Sequence, residues 1–170
     1  MFRRRDRTGE PKTASAPADV YLGLRNRILT LDPAVAGLAV QPGSVPWGCV
    51  METGYAYGIA TLVCLSDGTT SLYTSSGGGI IGGGGHEAVI RENSRLLEVL
   101  SGHLAEMTPS TEQSLPGLGR TIIRALAADG QRVFESAEND LGQGRSPLSP
   151  VFHAAQGVIT QLRLIDEARR

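Results

Sequence analysis

The sequence predicts an α+β domain: a single antiparallel sheet of about five strands flanked by three helices, in the order α-β-β-β-α-β-β-α. Three observations predict it. Apolar residues alternate through residues 55–65, and Asp67-Gly68 and Asp129-Gly130 each separate two strand-like runs, the signature of hairpins. Residues 86–107 and 150–168 instead space their apolar side chains three and four apart, which is the helical period. The chain of 170 residues is 41% hydrophobic, enough for one domain with a core that needs no staples.

The elements follow in order. Residues 1–15 read as a disordered basic tail and residues 16–170 as a single α+β domain. A first helix begins near Pro17, with Asp19 suited to its N-terminal dipole. Val20, Leu24, Ile28 and Leu31 share one face, with Arg25 and Arg27 off it. Pro33 ends it, and residues 34–44 form a connector. Residues 47–53 make a strand, Gly54 a turn or bulge, and residues 55–65 a long strand. Ile59, Thr61, Val63 and Leu65 alternate there with Ala60, Leu62 and Cys64, so both faces are covered. Asp67-Gly68 predicts a type I′ turn into a third strand over residues 70–75.

The helix over residues 86–107 carries the clearest stripe: Val89, Leu96, Leu97, Leu100, Leu104 and Met107. Glu87 and Arg91 are spaced to pair across one turn. Thr108-Pro109 ends the helix, and residues 110–119 form a polar loop. Residues 120–126 and 132–137 form the second hairpin, and residues 138–149 a loop. The last helix starts near Pro147 or Pro150, each preceded by a serine as N-cap. Phe152, Ala155, Ile159, Leu162 and Ile165 line its apolar face.

Composition excludes several function classes. The net charge is −1 and aromatic residues are 5% of the chain, which leaves neither the basic footprint nor the stacking surface of a nucleic-acid binder. No apolar run approaches the roughly 18 residues of a membrane helix. The basic start Arg3-Arg4-Arg5 has no apolar region after it, so it does not read as a secretory signal. Cys49 and Cys64 lie in apolar strand-like runs and read as small core residues in a reducing compartment, with a cross-strand disulfide as the alternative.

The feature furthest from average is the run Gly77-Gly78-Gly79-Ile80-Ile81-Gly82-Gly83-Gly84-Gly85-His86. Seven of the nine residues from 77 to 85 are glycine. Ordering such a run is entropically expensive, so it implies positive φ angles or close backbone approach. Placed between a strand and a helix, it is expected to form a loop with two open readings. One is a packed or partner-contacting loop, with Ile80 and Ile81 buried in the core or serving as an anchor. The other is an anion site built from the N–H groups of Gly82 to Gly85 at a helix start, with His86 beside them. The run lacks the Lys-Ser or Lys-Thr of a P-loop.

Little else carries chemistry. His86-Glu87 begins the zinc motif H-E-x-x-H, but Ile90 stands where the second histidine belongs. His103 and His153 fall beside apolar stripes, as half-buried histidines do. His86 alone is placed to bind or to transfer a proton. Ser75 and Ser76 end a strand before glycine but lack the G-x-S-x-G elbow and any base. Asp67, Asp129 and Asp140 are explained by turns.

The element order over about residues 17–168 resembles the profilin-like group that includes roadblock and longin domains. That resemblance implies a dimeric scaffold or a regulator of small GTPases, with no catalytic residues to carry over. The long glycine run departs from the roadblock pattern. The Gly77–His86 signature is itself similar to one found in small bacterial proteins, and no activity comes with it. The expectation is therefore a non-catalytic, cytoplasmic interaction or regulatory module. It would form a homodimer and bind a further protein, without cofactor or metal. The alternative is a small-anion or nucleotide binder using the glycine run. An enzyme using Ser76 or His86 has only residue type behind it.

Overall fold

A computed structural model describes residues 16–40, 42–43 and 45–170. The expected tail, residues 1–15, lies outside the described residues. The chain folds as an α+β domain on one antiparallel sheet. Helix α1 (Asp19–Leu29) precedes strands β1 (Gly48–Tyr55), β2 (Gly58–Leu65), β3 (Thr70–Thr74) and β4 (Gly79–Ile81). Helix α2 (Glu87–Ser101) follows, then strands β5 (Thr108–Pro109), β6 (Arg120–Ala127) and β7 (Gly130–Ala137), and helices α3 (Glu138–Gly142) and α4 (Ser149–Ala168). The sheet order is β4-β3-β2-β1-β6-β7-β5. The five long strands are those the sequence predicts, and the two outermost, β4 and β5, are short additions to them.

Alternation along the strands sorts side chains to two faces. Cys49, Met51, Leu62, Cys64, Ile123 and Ala125 pack against α2 and α4 in the larger apolar cluster. Val50, Val63, Leu65, Tyr73 and Leu126 face the other way, toward Tyr21 of α1, Leu38 and Trp47. Register places Cys49 directly opposite Cys64 on β1 and β2. Both are free, buried thiols, and burial pushes the Cys49 thiol up to about 12. Asn93 of α2 donates to the Leu65 and Thr69 carbonyls and to Thr70 Oγ1, which fixes the helix over the β2–β3 turn.

Several boundaries differ from the sequence reading, each for a local reason. Gly54 is not a turn; it lies inside β1 paired with Ile59. Its glycine is needed because a Cβ there would overlap the Gly117 carbonyl oxygen. The long apolar run instead breaks at Ala56-Tyr57, between the paired residues Tyr55 and Gly58. The Asp67-Gly68 turn is not type I′, since no non-glycine residue has positive φ. Gly68 N–H bonds the Leu65 carbonyl while Leu65 N–H bonds Thr69, a type I turn closed by a glycine bulge. The second helix stops at Ser101, six residues early; a short 3-10 turn, Leu104–Glu106, then turns the chain into β5. Glu138–Gly142, read as loop, is the short helix α3. Helix α4 has Pro150 in its first turn, but Leu148, not a serine, is its N-cap residue.

The first helix buries two residues that lie off its expected stripe. Its buried residues are Tyr21 and Arg25. The stripe of Val20, Leu24, Ile28 and Leu31 lies to one side, with Val20 59% exposed and the others half-buried. The cause is a buried carboxylate on β1. Arg25 Nε and Nη2 bond both oxygens of Glu52, at 2.7 and 3.0 Å. Arg124 Nη1 of β6 bonds the same carboxylate. Tyr21 Oη lies 2.9 Å from Thr61 Oγ1 and donates to Glu52 at 3.3 Å. A buried charge has to be paired, and this pairing pins α1 beside the apolar packing of Leu24, Ile28 and Leu31.

Candidate functional site

The glycine run is ordered and does three things. Gly77 N–H bonds the Thr74 carbonyl and Thr74 N–H bonds the Gly78 carbonyl. With Gly77 at φ 97°, this repeats the glycine-bulge turn used at Gly68. The chain then returns as β4, with Ile81 opposite Ser71, Ile80 opposite Leu72 and Gly79 opposite Tyr73. Finally Gly83–Gly85 form one 3-10 turn leading into α2. A Cβ on Gly83 would overlap Leu162 Cδ2 of α4, and one on Gly84 would stand 2.6 Å from the Gly68 carbonyl oxygen. The run is therefore a packed hairpin and edge strand rather than an open strand-to-helix loop, and Gly83 and Gly84 are there for close approach.

Among the described residues the outer edge of β4 carries no neighbouring strand in the sheet order. In an antiparallel ladder the bonded and non-bonded pairs alternate. Since Thr74 bonds Gly78, the next bonded pair is Leu72 with Ile80. The N–H and C=O groups of Gly79 and Ile81 consequently face outward, away from β3.

Beside this edge lies a groove of about 460 Å³ between α1 and β3, lined by Leu24, Ile28, Leu31, Val35, Ser71 and Tyr73, with Arg27 and Asp32 also on its wall. Val35 is 84% exposed. Leu24, Ile28 and Leu31, half-buried against the apolar cluster of this face, thus also form one wall of the groove. Val20 Cγ1 would lie 3.7 Å from a Cβ on Gly77, so the stripe runs to the β3–β4 turn.

Under the groove the Glu52 cluster ties α1 to the sheet. Arg25 and Arg124 also donate to the Ser114 carbonyl at 3.2 and 2.8 Å, which brings residues 110–119 over the same spot. Two guanidinium groups share one carboxylate, so the cluster carries an excess positive charge. Burial alone would raise the Glu52 pKa, but the hydrogen bonds and charges of Arg25 and then Arg124 outweigh it and hold the carboxyl below its ordinary 4.5. Burial, then the Glu52 charge, pushes Tyr21 up to about 12. Sequence reading missed this cluster. The available signal was a Glu following the apolar residues Val50 and Met51 in one strand run, Glu52, and an Arg between Ile123 and Ala125 in another, Arg124.

The other sequence candidates stay apart. His86 lies just before α2, where its Nε2 accepts from Arg169 Nη2 at 3.0 Å. His103 bonds the Val99 carbonyl and His153 the Leu141 carbonyl. Ser75 is spent on structure: its Oγ accepts from Ile59 N–H and its carbonyl from Ala18 N–H. Ser76 Oγ lies 2.8 Å from Thr74 Oγ1. Among the described residues no group of three His, Cys, Asp or Glu is close enough to hold a metal. No helix among them is long and apolar enough to cross a membrane. No family model matches the chain, and neither a curated protein nor a solved structure matches it.

Proposed function

We propose that this chain is a non-catalytic interaction module that acts as a cytoplasmic homodimeric scaffold and presents a surface to a further protein. One observation carries the reading: an open groove lined by the half-buried Leu24, Ile28 and Leu31 and the exposed Val35 lies next to a sheet edge that has no neighbouring strand among the described residues. Exposed contiguous apolar surface beside a free edge is the chemistry of protein contact. Two buried free thiols fit a reducing compartment. The element order supports a roadblock-like role. Light scattering over a wide concentration range tests the dimer; a monomer at every concentration would refute it.

One observation favours a second reading, a small-anion binder: an imidazole and a guanidinium, His86 and Arg169, stand at the start of α2. Gly83 and Gly84 cannot probe it, because alanine there disturbs packing. Gly85 can, since a Cβ there meets nothing within 4 Å. Titration calorimetry with inorganic phosphate on wild type, Gly85→Ala and His86→Ala decides it. No heat in the wild type excludes this reading.

A further inference from the structure

The groove and the β4 edge form one continuous surface, and its geometry matches its own copy. β4 has three residues, and its outward bonding positions, Gly79 and Ile81, flank Ile80 symmetrically. Two such strands laid antiparallel about a two-fold axis through Ile80 bring Gly79 of each opposite Ile81 of the other. Each of those two narrow pairs exchanges both of its backbone hydrogen bonds, so four otherwise solvent-facing donors find acceptors. A two-fold contact of this kind requires a self-complementary patch. The groove wall meets that requirement in charge. Arg27 and Asp32 both line it, both are exposed, and neither forms an ion pair among the described residues. Opposite charges on one patch allow it to pair with its antiparallel copy, each Arg27 facing an Asp32 of the other chain. Between them Leu24, Ile28, Leu31 and the exposed Val35 supply the apolar centre.

We infer that a second copy of this chain occupies this surface, joining the two sheets edge to edge through β4 and covering the α1 groove of each protomer. The inference rests on the dimeric reading above and specifies where the copies meet. A three-residue edge would be a weak contact alone; the flanking groove is what gives it area. The glycines bordering β4 keep its ends free of side chains that would hold a second backbone away.

The test uses the full chain and measures mass against concentration. Ile81→Pro removes one outward N–H and no bond to β3, so the variant should keep its circular dichroism spectrum and become monomeric. Arg27→Asp should weaken the dimer roughly tenfold, since each change acts at two symmetry-related places, and the swap Arg27→Asp with Asp32→Arg should restore it. The swap guards against misfolding of the proline variant, because restoration requires the two side chains to meet. A wild-type dimer that survives Ile81→Pro and is indifferent to both charge variants overturns this interface while leaving the dimeric reading intact. A wild-type monomer at every concentration overturns both.

Discussion

The two faces of the sheet are closed in different ways. On one, α2 and α4 bring Val89, Leu96, Leu100, Val158 and Leu162 onto Met51, Leu62 and Ile123 in a continuous apolar cluster. On the other, α1 is held by a buried ionic cluster and leaves half its apolar stripe beside a groove. Apolar packing is non-directional and seals a surface. Charge pairing is directional and fixes one orientation of a helix without covering what lies beside it. A domain can thus keep one face for stability and pin a helix across the other in a pose that leaves a groove open.

The largest expected effect breaks the polar anchor. Glu52→Gln leaves two buried guanidinium groups without their counter-charge and should cost about 3–5 kcal/mol, read by urea unfolding. The same carboxylate gives the pH dependence. Its folded pKa lies below the ordinary value, so its contribution is fully present above the unfolded pKa of about 4.3 and is lost as pH falls through the folded one. Wild-type stability should therefore drop on the acid side, and Glu52→Gln should flatten that limb.

Next comes the sealed face. Leu100→Ala, at a fully buried position, should cost about 2–5 kcal/mol by cavity formation. Gly83→Ala forces a Cβ against Leu162 and should cost about 1–3 kcal/mol by overpacking. The smallest effect belongs to the open face: Val20→Ser should change monomer stability by no more than about 0.5 kcal/mol, measured at low protein concentration. A large loss there would mean that the stripe is part of the core after all.

The fold was legible where one periodicity dominates. Residues 58–65, 120–127 and 130–137 fold as strands, and the Leu96, Leu97 and Leu100 stripe lies on a helix. What was not legible depends on residues far apart in sequence. Leu24, Ile28 and Leu31 of the α1 stripe do pack on the sheet's apolar cluster, but the burial of Arg25 beside them depends on Glu52, 27 positions on. The turn at Gly54 could not be told from close approach to Gly117, 63 positions on. Edge strand β4 has only Ile80-Ile81 between glycines, too short for any periodicity, and its pairing to β3 is set by the Gly77 turn. The glycine run stands out by composition, but that Gly83 and Gly84 serve close approach depends on Leu162 and Gly68, which their own stretch does not name.

The facing cysteines carry a consequence of their own. Cys49 and Cys64 sit opposite each other in one hairpin, beneath two helices, and burial suppresses the thiolate that any disulfide exchange or alkylation requires. Neither thiol can react until the layer formed by α2 and α4 lifts from the sheet. The pair therefore acts as a built-in clock for opening of the sealed face: the rate at which a thiol reagent labels the native protein reports how often that layer opens, and it should be indifferent to whatever covers the α1 groove.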